Sequence, residues 1–460
     1  MAEPRPHSFF ERWERFWFGE ASLVRLALFR IVLCAAAFDG VWVVRKSIFQ
    51  HAEGIEQAFA LSAWHPLYAF ELLGIGPADL ATARILWVIV LAAIAGGILG
   101  LCTRVSCALV ALGSFYWIGS EYSYGKPHHT CVALMFGLFA LPFAPVGARL
   151  SLDALVRRLR AAQSGADPQL VPQRAPWAAL PIHLTQITAA LGYFFAGMTK
   201  LAISGPSWAN GYTLMGVMVE YRSDWSAHFY GSQPLLVLMS LGLLFGQVGF
   251  PLVFLGTAWR WVFVPIAVLF HVMAMKTMGT GTFLTLWLTL SCFVALERVP
   301  DFLRHFIGGG PLWRRVACAL LFLGVAWVTV ATYASSKPPW LPWLLLPVAF
   351  TLLLAALPRL LPPLAIDYDS RAARARRAAA WLAAADWGGR LALAPSGTGS
   401  GLGVRTQSGQ TLRGTDALLA LLVRLPLALL CLPFVAASLR ADPDQLSPAG
   451  SQPSRAGDER

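Results

Sequence analysis

Along the first 360 residues, apolar runs alternate with short polar junctions. Runs of about 20 residues with few charges predict membrane-spanning helices, because that length crosses the hydrocarbon core. We read about ten spans on that criterion, near 22–44, 79–101, 105–120, 128–147, 176–199, 233–257, 261–275, 279–296, 316–334 and 340–358. Those at 105–120, 261–275 and 279–296 are short, which suits little tilt or a path partly inside protein. Residues 47–76 place Ala58, Phe59, Leu61, Trp64, Leu67, Phe70 and Leu73 at roughly helical spacing, with Glu53, Glu56 and Glu71 between. That pattern predicts a helix lying in the membrane interface. Residues 201–232 carry Trp208, Tyr212, Tyr221, Trp225 and Tyr230, as suits a loop folded back at headgroup level.

Beyond residue 360 the pattern changes. Arg371, Arg374, Arg376 and Arg377 form a basic stretch, and 395–410 are rich in Gly, Ser and Thr. Residues 416–438 are apolar again, but Arg424, Pro426 and Pro433 interrupt them. They read as a helix of a small cytoplasmic domain at 363–440 rather than an eleventh span. The tail from 441 has a disordered composition.

Composition strengthens the membrane reading. The 460 residues are 57% apolar and only 13% charged, against about 25% charged in soluble domains. The net charge of +12 is read as membrane-flanking loops rather than nucleic-acid binding, because it is unevenly placed. One set of junctions holds Arg5, Arg12, Arg15, Arg25, Arg104, Arg149, Arg157, Arg158, Arg160, Arg174, Arg260, Arg298, Arg304, Arg314, Arg315 and Arg359. The alternate set holds only Arg45, Lys46, Arg84, Lys126, Lys200, Arg222, Lys276 and Lys337. The positive-inside rule then puts both termini in the cytoplasm, with a bacterial inner membrane as the expected location. The charged first 20 residues do not read as a cleavable signal. The seven Cys form no CxxC pair, so neither a disulfide framework nor a zinc site is expected.

The candidate chemistry lies in embedded polar residues. This topology gathers Lys126, His128, His129, Lys200 and His271 towards the outer ends of their helices, with Trp208 and Asn210 just after Lys200. Ionisable groups in a membrane are costly, which makes them functional candidates. A partly desolvated Lys can serve as a general base. The bland alternative is that the lysines snorkel to headgroups and the histidines cap helix ends. Arg30, Asp39 and His183 read as structural, with Arg30 paired to a carboxylate or a helix C-terminus, or snorkelling. The run Met278 to Phe283 lacks the lysine of a phosphate loop and reads as a tight turn.

Several local patterns together carry a resemblance. They are Arg15-Phe16-Trp17-Phe18, Leu26-Ala27-Leu28-Phe29-Arg30-Ile31, His128-His129, Ser151-Leu152-Asp153-Ala154, Tyr193-Phe194-Phe195-Ala196-Gly197-Met198-Thr199-Lys200-Leu201 with Trp208 and Gly211, and Phe270-His271 with Phe283. Over about residues 10–300 the chain resembles the horizontally transferred transmembrane domain (HTTM) family, related to the vitamin K-dependent gamma-glutamyl carboxylase. The resemblance implies that Lys200 is a base towards a reduced, vitamin K-like quinone at the outer membrane face. It also implies that the outer His residues position oxygens of that cofactor. The carboxylase carries a large lumenal portion after its helices, and nothing of that size is expected outside here. A smaller or lipid-like substrate, or lost catalysis, fits better than glutamate carboxylation.

Residues 366–435 resemble the DCC-type thiol–disulfide oxidoreductases, a thioredoxin-like fold. The match runs through Ile366-Asp367-Tyr368-Asp369, Asp386-Trp387-Gly388-Gly389-Arg390-Leu391, Gly409 to Gly414, Asp416-Ala417-Leu418 and Leu425-Pro426-Leu427. The family's CxxC falls on Ser370 and Ala373, so the resemblance implies a redox-inactive domain.

The sequence therefore predicts an all-α polytopic membrane protein with a small α/β thioredoxin-like C-terminal domain. It predicts a quinone- or lipid-linked enzyme with Lys200 as catalytic base and His128, His129, His271, Trp208 and Asn210 around the ligand. The rivals are a lipid or small-molecule transporter, which would need a polar path across the bilayer, and a membrane scaffold serving the cytoplasmic domain.

Overall fold

The computed structural model describes residues 8–54, 63–125, 129–163, 172–221, 223, 225–278, 284–298, 361–369, 375, 378–379, 382–383, 386, 390–396, 402–412, 417, 420–421 and 424–425. The predicted spans at 316–334 and 340–358, the turn at 279–283, Lys126, His128, Ser370, Ala373 and the tail from 441 lie outside the described residues. The chain divides into two units, Met1–Ala356 and Leu357–Arg460.

The first unit is helical, with α1 (Phe9–Phe18), α2 (Leu23–Glu53), α3 (Tyr68–Leu73), α4 (Leu80–Leu99), α5 (Thr103–Tyr124) and α6 (Val132–Ala140). There follow α7 (Leu152–Gln163), α8 (Leu180–Ser204), α9 (Tyr212–Tyr221), α10 (Gln233–Val248), α11 (Thr257–Met278) and α12 (Leu284–Leu290). A short antiparallel pair, β1 (Ala21–Ser22) with β2 (Arg174–Ala175), ties the start of α2 to the start of α8.

Helix α2 is the centre of this unit. Every residue from Leu26 to Ala37 is buried, so the helix is covered on every side along this stretch. It packs against α4, α5, α6 and α12. At 31 residues it extends about 46 Å, longer than a bilayer core is thick. The predicted span at 22–44 therefore continues to Glu53, where Gly54 ends it. Of the predicted interfacial helix at 47–76, residues 47–53 continue α2 and 68–73 form the short α3, while Glu56, Ala58, Phe59 and Leu61 lie outside the described residues. No residue between Val44 and Glu53 breaks a helix, and α3 docks through Phe70, which is buried against Phe115 and Tyr116.

Among the described residues four helices are long and apolar enough to cross a membrane: Leu23–Glu53, Leu80–Leu99, Leu180–Asn210 and Thr257–Thr277. The shorter apolar helices are Val132–Phe143 and Gln233–Val248. Proline accounts for the shortening, since it cannot donate within a helix. Helix α6 passes into a 3-10 turn at Pro142, and α10 does so at Pro251. The span predicted at 279–296 is described only as the seven-residue α12 followed by 3-10 turns. The segment after Lys200 folds back as a 3-10 helix (Gly205–Asn210), α9 and a 3-10 turn at Ser226–His228.

One junction locks the helix ends together. Arg30 is fully buried and donates from Nη1 to Val146 O (2.8 Å) and from Nη2 to Leu150 O (2.6 Å) and Ile98 O (3.4 Å). Beside it, Asp153 accepts from the backbone amides of Cys102 (2.9 Å) and Thr103 (2.7 Å) and from the Thr103 hydroxyl (2.7 Å), capping α5. Ser151 Oγ donates to Gly147 O and accepts from Ala154 N at the start of α7. Gly100 adopts a left-handed conformation here (φ 71°), and a Cβ on it would lie 2.3 Å from Ser151 Cβ and 3.0 Å from Arg30 Nη1. Only glycine permits that backbone and that approach.

The second unit contains a four-stranded sheet of β3 (Leu364–Asp369), β4 (Leu391–Ser396), β5 (Leu402–Arg405) and β6 (Thr411–Leu412), in the order β4-β3-β5-β6. Strands β3 and β4 are parallel, with Leu364 opposite Leu391; β3/β5 and β5/β6 are antiparallel. Ala375, Ala378, Ala379, Leu382 and Ala383, between the parallel strands, are helical. After β6, Ala417, Ala420 and Leu421 are also helical and pack with buried Leu425 on the sheet core of Leu364, Ile366, Leu391 and Val404. The part of 416–438 that is described thus covers a sheet. Asp386 accepts from the amides of Arg390 (2.9 Å) and Leu391 (2.8 Å), fixing the entry to β4.

Candidate functional site

Helix α8 carries Gln186, Tyr193 and Lys200, each seven residues apart. Seven residues are close to two helical turns, so the three fall on one face. Gln186 is consumed by the fold, since its Nε2 donates to Cys292 O at 2.7 Å. Tyr193, halfway along α8, is hydrogen-bonded through its hydroxyl to His271 Nε2 on α11 at 2.9 Å, and both side chains are buried. The Tyr193 ring stacks on Phe250 with centroids 4.3 Å apart, and the Phe270 ring lies 4.7 Å from His271. These contacts hold the Tyr–His pair in one arrangement.

The pair opens onto a cavity of about 300 Å³ bounded by α6, α8, α10, α11 and α12. Val132, Phe136, Leu191, Phe195 and Leu286 make most of its wall apolar. Thr188 also lines it, but its hydroxyl bonds back to Leu184 O and Thr185 O. Gln247, on α10, lines the same cavity and is buried, and among the described residues its Oε1 accepts no hydrogen bond. A buried carbonyl oxygen without a donor is costly, and a ligand donor in the cavity would satisfy it. Gly192 lines the cavity too, and a Cβ placed there would meet nothing within 4 Å. A second cavity of about 280 Å³, between α9, α10 and α11, shares Phe270 with the first and is lined by Met218, Met239, Leu243, Ile266 and Met273.

Lys200 stands two turns beyond Tyr193 on α8. Its side chain is half-buried, and Nζ donates to Ala196 O at 3.0 Å. Ala196 is part of the cavity wall. Nζ also lies 5.7 Å from the ring centroid of Trp208, which is buried. Among the described residues Lys200 has no carboxylate partner, so its ammonium is held by one carbonyl and one aromatic face.

The residues predicted for the site are therefore divided. The structure joins Lys200 to Trp208 and joins His271 to Tyr193 at the middle of α8, with no hydrogen bond between Lys200 and His271. Asn210 is exposed; its Oδ1 accepts from Tyr212 N (2.9 Å), its backbone oxygen accepts from Gln233 Nε2, and it serves as the turn into α9. His129 begins a 3-10 turn before α6, described by its backbone alone. Lys276 lies 5.8 Å from the ring centroid of Trp225, at the end of α11. His183 bonds through Nδ1 to Phe16 O (2.7 Å), and Asp39 Oδ2 accepts from Thr285 N (3.1 Å) and Oγ1 (2.7 Å), capping α12. Among the described residues no three His, Cys, Asp or Glu side chains are grouped to hold a metal ion.

Tyr193 and Gln247 escape the sequence reading. The seven-residue spacing of Gln186, Tyr193 and Lys200 is a signal that could have found Tyr193. Gln247 has none, since only the packing of α10 on α8 brings it there.

The chain matches no protein-family model, no curated protein and no solved structure.

Proposed function

We propose that the first unit is a membrane-embedded enzyme acting with a ligand that has an apolar body and hydrogen-bonding oxygens, of the reduced-quinone or lipid class. The observation that carries this reading is the buried Tyr193–His271 pair beside the unpartnered Gln247 oxygen in an otherwise apolar cavity. Apolar cavities with a few convergent polar groups are the usual form of small-molecule sites. Tyr193, His271 and Gln247 would hold the ligand's oxygens, and Phe136, Leu191 and Phe195 would cover its body. A reduced quinone bound there would supply reducing equivalents to oxygen-dependent chemistry. Lys200 in its neutral form would take a proton from a ligand hydroxyl, and Trp208 would hold the resulting ammonium. The HTTM-like patterns at Tyr193–Leu201 and Phe270-His271 support this assignment, because both supply walls of the cavity.

The wider proposal keeps about ten spans, cytoplasmic termini and a bacterial inner membrane. Its support is the four long apolar helices and the charge asymmetry of their junctions. We propose a thioredoxin-like fold for the second unit. A parallel pair joined through helical residues, followed by an antiparallel pair and a covering helix, supports it.

The test is a binding titration of purified protein with reduced and oxidised menaquinone analogues, comparing wild type with Lys200→Ala. Saturable binding that weakens in the variant supports the reading, and absence of binding in both proteins contradicts it. A second reading, a carrier for a small amphipathic solute, draws on the Gln186–Tyr193–Lys200 face of α8. Counterflow of a bound analogue across proteoliposomes would favour it.

A further inference from the structure

Helix α1 presents an uncovered aromatic face. It is a well-formed helix: Ser8 Oγ accepts from Glu11 N (3.1 Å), while Ser8 N donates to Glu11 Oε2 (3.2 Å). This reciprocal cap satisfies amides that a helix start leaves open. At 100° per residue, Phe9, Phe10, Trp13, Phe16 and Trp17 fall within an arc of about 120°. Glu11, Arg12, Glu14 and Arg15 occupy the other side. No residue of α1 is buried, and Phe9 (71% exposed), Phe10 (79%) and Trp13 (54%) leave most of their surface open.

The helix is also fixed in place. Phe16 O bonds His183 Nδ1 (2.7 Å), and the Phe16 ring stacks on the imidazole with centroids 4.4 Å apart. Phe18 packs on Trp177 at 4.4 Å and accepts from Trp177 N at 3.1 Å. Arg174 donates to Glu20 O (2.8 Å), and Leu23 N donates to Gln173 O (3.0 Å). These bonds hold α1 level with the first turns of α2 and α8, two of the helices long and apolar enough to span. A level at which two spans begin is a membrane boundary.

We propose that α1 lies in the plane of that boundary, its aromatic face sunk between headgroups and acyl chains. The occupant of the face is lipid because the face is continuous with two spans and is dominated by Phe and Trp, which favour that zone. Ten residues are too few to cross the bilayer, so the helix rests along it. Arg12 and Arg15 on the opposite side reach headgroup phosphates. Since His183 belongs to α8, this float sets the depth of the helix that carries Tyr193 and Lys200. The inference does not depend on what the cavity binds.

The experiment places single nitroxide labels at Phe9, Trp13, Glu11 and Glu14 of the full chain in proteoliposomes, in a variant lacking Cys102, Cys318 and Cys431. Labels at Phe9 and Trp13 are expected to collide with oxygen severalfold more than with a water-soluble nickel chelate, and labels at Glu11 and Glu14 to show the reverse. Equal access of the chelate to all four overturns the proposal, as does dipolar broadening confined to Phe9 and Trp13, which would put a second copy on the face. A label-free check compares wild type with Trp13→Phe. The emission belonging to Trp13 is expected to be quenched more by lipids brominated near the headgroup than by lipids brominated at the chain end; no quenching by either overturns the proposal.

Discussion

Arg30 and His271 are both buried ionisable groups on apolar helices, yet their surroundings differ. Arg30 meets three backbone carbonyls in a junction packed so closely that Gly100 has no room for a Cβ. Its guanidinium satisfies carbonyls that the ends of neighbouring segments leave open. His271 meets a tyrosine hydroxyl at the edge of a cavity whose wall also carries the Gln247 oxygen, which accepts no hydrogen bond among the described residues. The difference separates scaffold from site. Where the chain supplies carbonyl partners from several neighbouring segments, a buried polar group specifies the packing. Where a buried polar group faces a cavity, it is available to a ligand.

That contrast makes ordered predictions. The largest effect is expected at Arg30→Leu, which strands the carbonyls of Val146 and Leu150. We expect a loss of about 4 kcal/mol or more, seen as failed accumulation or a collapsed thermal transition in detergent. Asp39→Ala removes the acceptor for the Thr285 amide and hydroxyl, and should cost about 2–3 kcal/mol; Asp39→Asn should recover much of it. Thermal unfolding of both variants measures this.

Tyr193→Phe should do the converse. It removes one hydroxyl at the cavity, so stability should change by only about 1 kcal/mol while ligand affinity falls about tenfold. Equal losses of stability and of binding would merge the two groups and break the comparison.

The smallest effect is a pH dependence at Asp153. Burial pushes its carboxyl up, but hydrogen bonds from Thr103 and Cys102, aided by Arg157, outweigh this and hold it below the usual carboxylate range. A depressed value stabilises the fold above the unfolded carboxylate range, near pH 4, and that stability is lost as pH falls through the folded value. Asp153→Asn should therefore flatten the acid side of the stability profile by lowering stability at neutral pH towards the value the wild type reaches in acid.

The alternation of apolar runs and Arg-rich junctions made the helical, membrane-integrated character of the first unit legible. In the second unit, the described residues Ala417, Ala420, Leu421 and Leu425 of the apolar run at 416–438 pack on the sheet. Helix lengths were less legible. Nothing in 44–53 distinguishes the tail of α2 from a new interfacial helix until Gly54, and Pro142 and Pro251 end α6 and α10 inside runs that hydropathy treats as continuous. At the site, counting from helix ends set His271 level with Lys200, whereas packing sets it beside Tyr193. Depth depends on how α11 crosses α8, which no spacing along one helix encodes. The Ser151–Ala154 pattern shows the other side of this: polar residues at a helix junction can be wholly structural, since here its serine and aspartate cap helices.

The most direct test of the account is to fill the cavity. Gly192 lines the Tyr193–His271 cavity and Gly242 lines its apolar neighbour, and a Cβ at either meets nothing within 4 Å. Leucine at each position would occupy empty space without displacing the fold. Titration of a reduced menaquinone analogue into wild type, Gly192→Leu and Gly242→Leu should show binding abolished in the first variant and retained in the second. Unchanged binding in Gly192→Leu, with its thermal transition intact, would contradict the assignment of this cavity as the site.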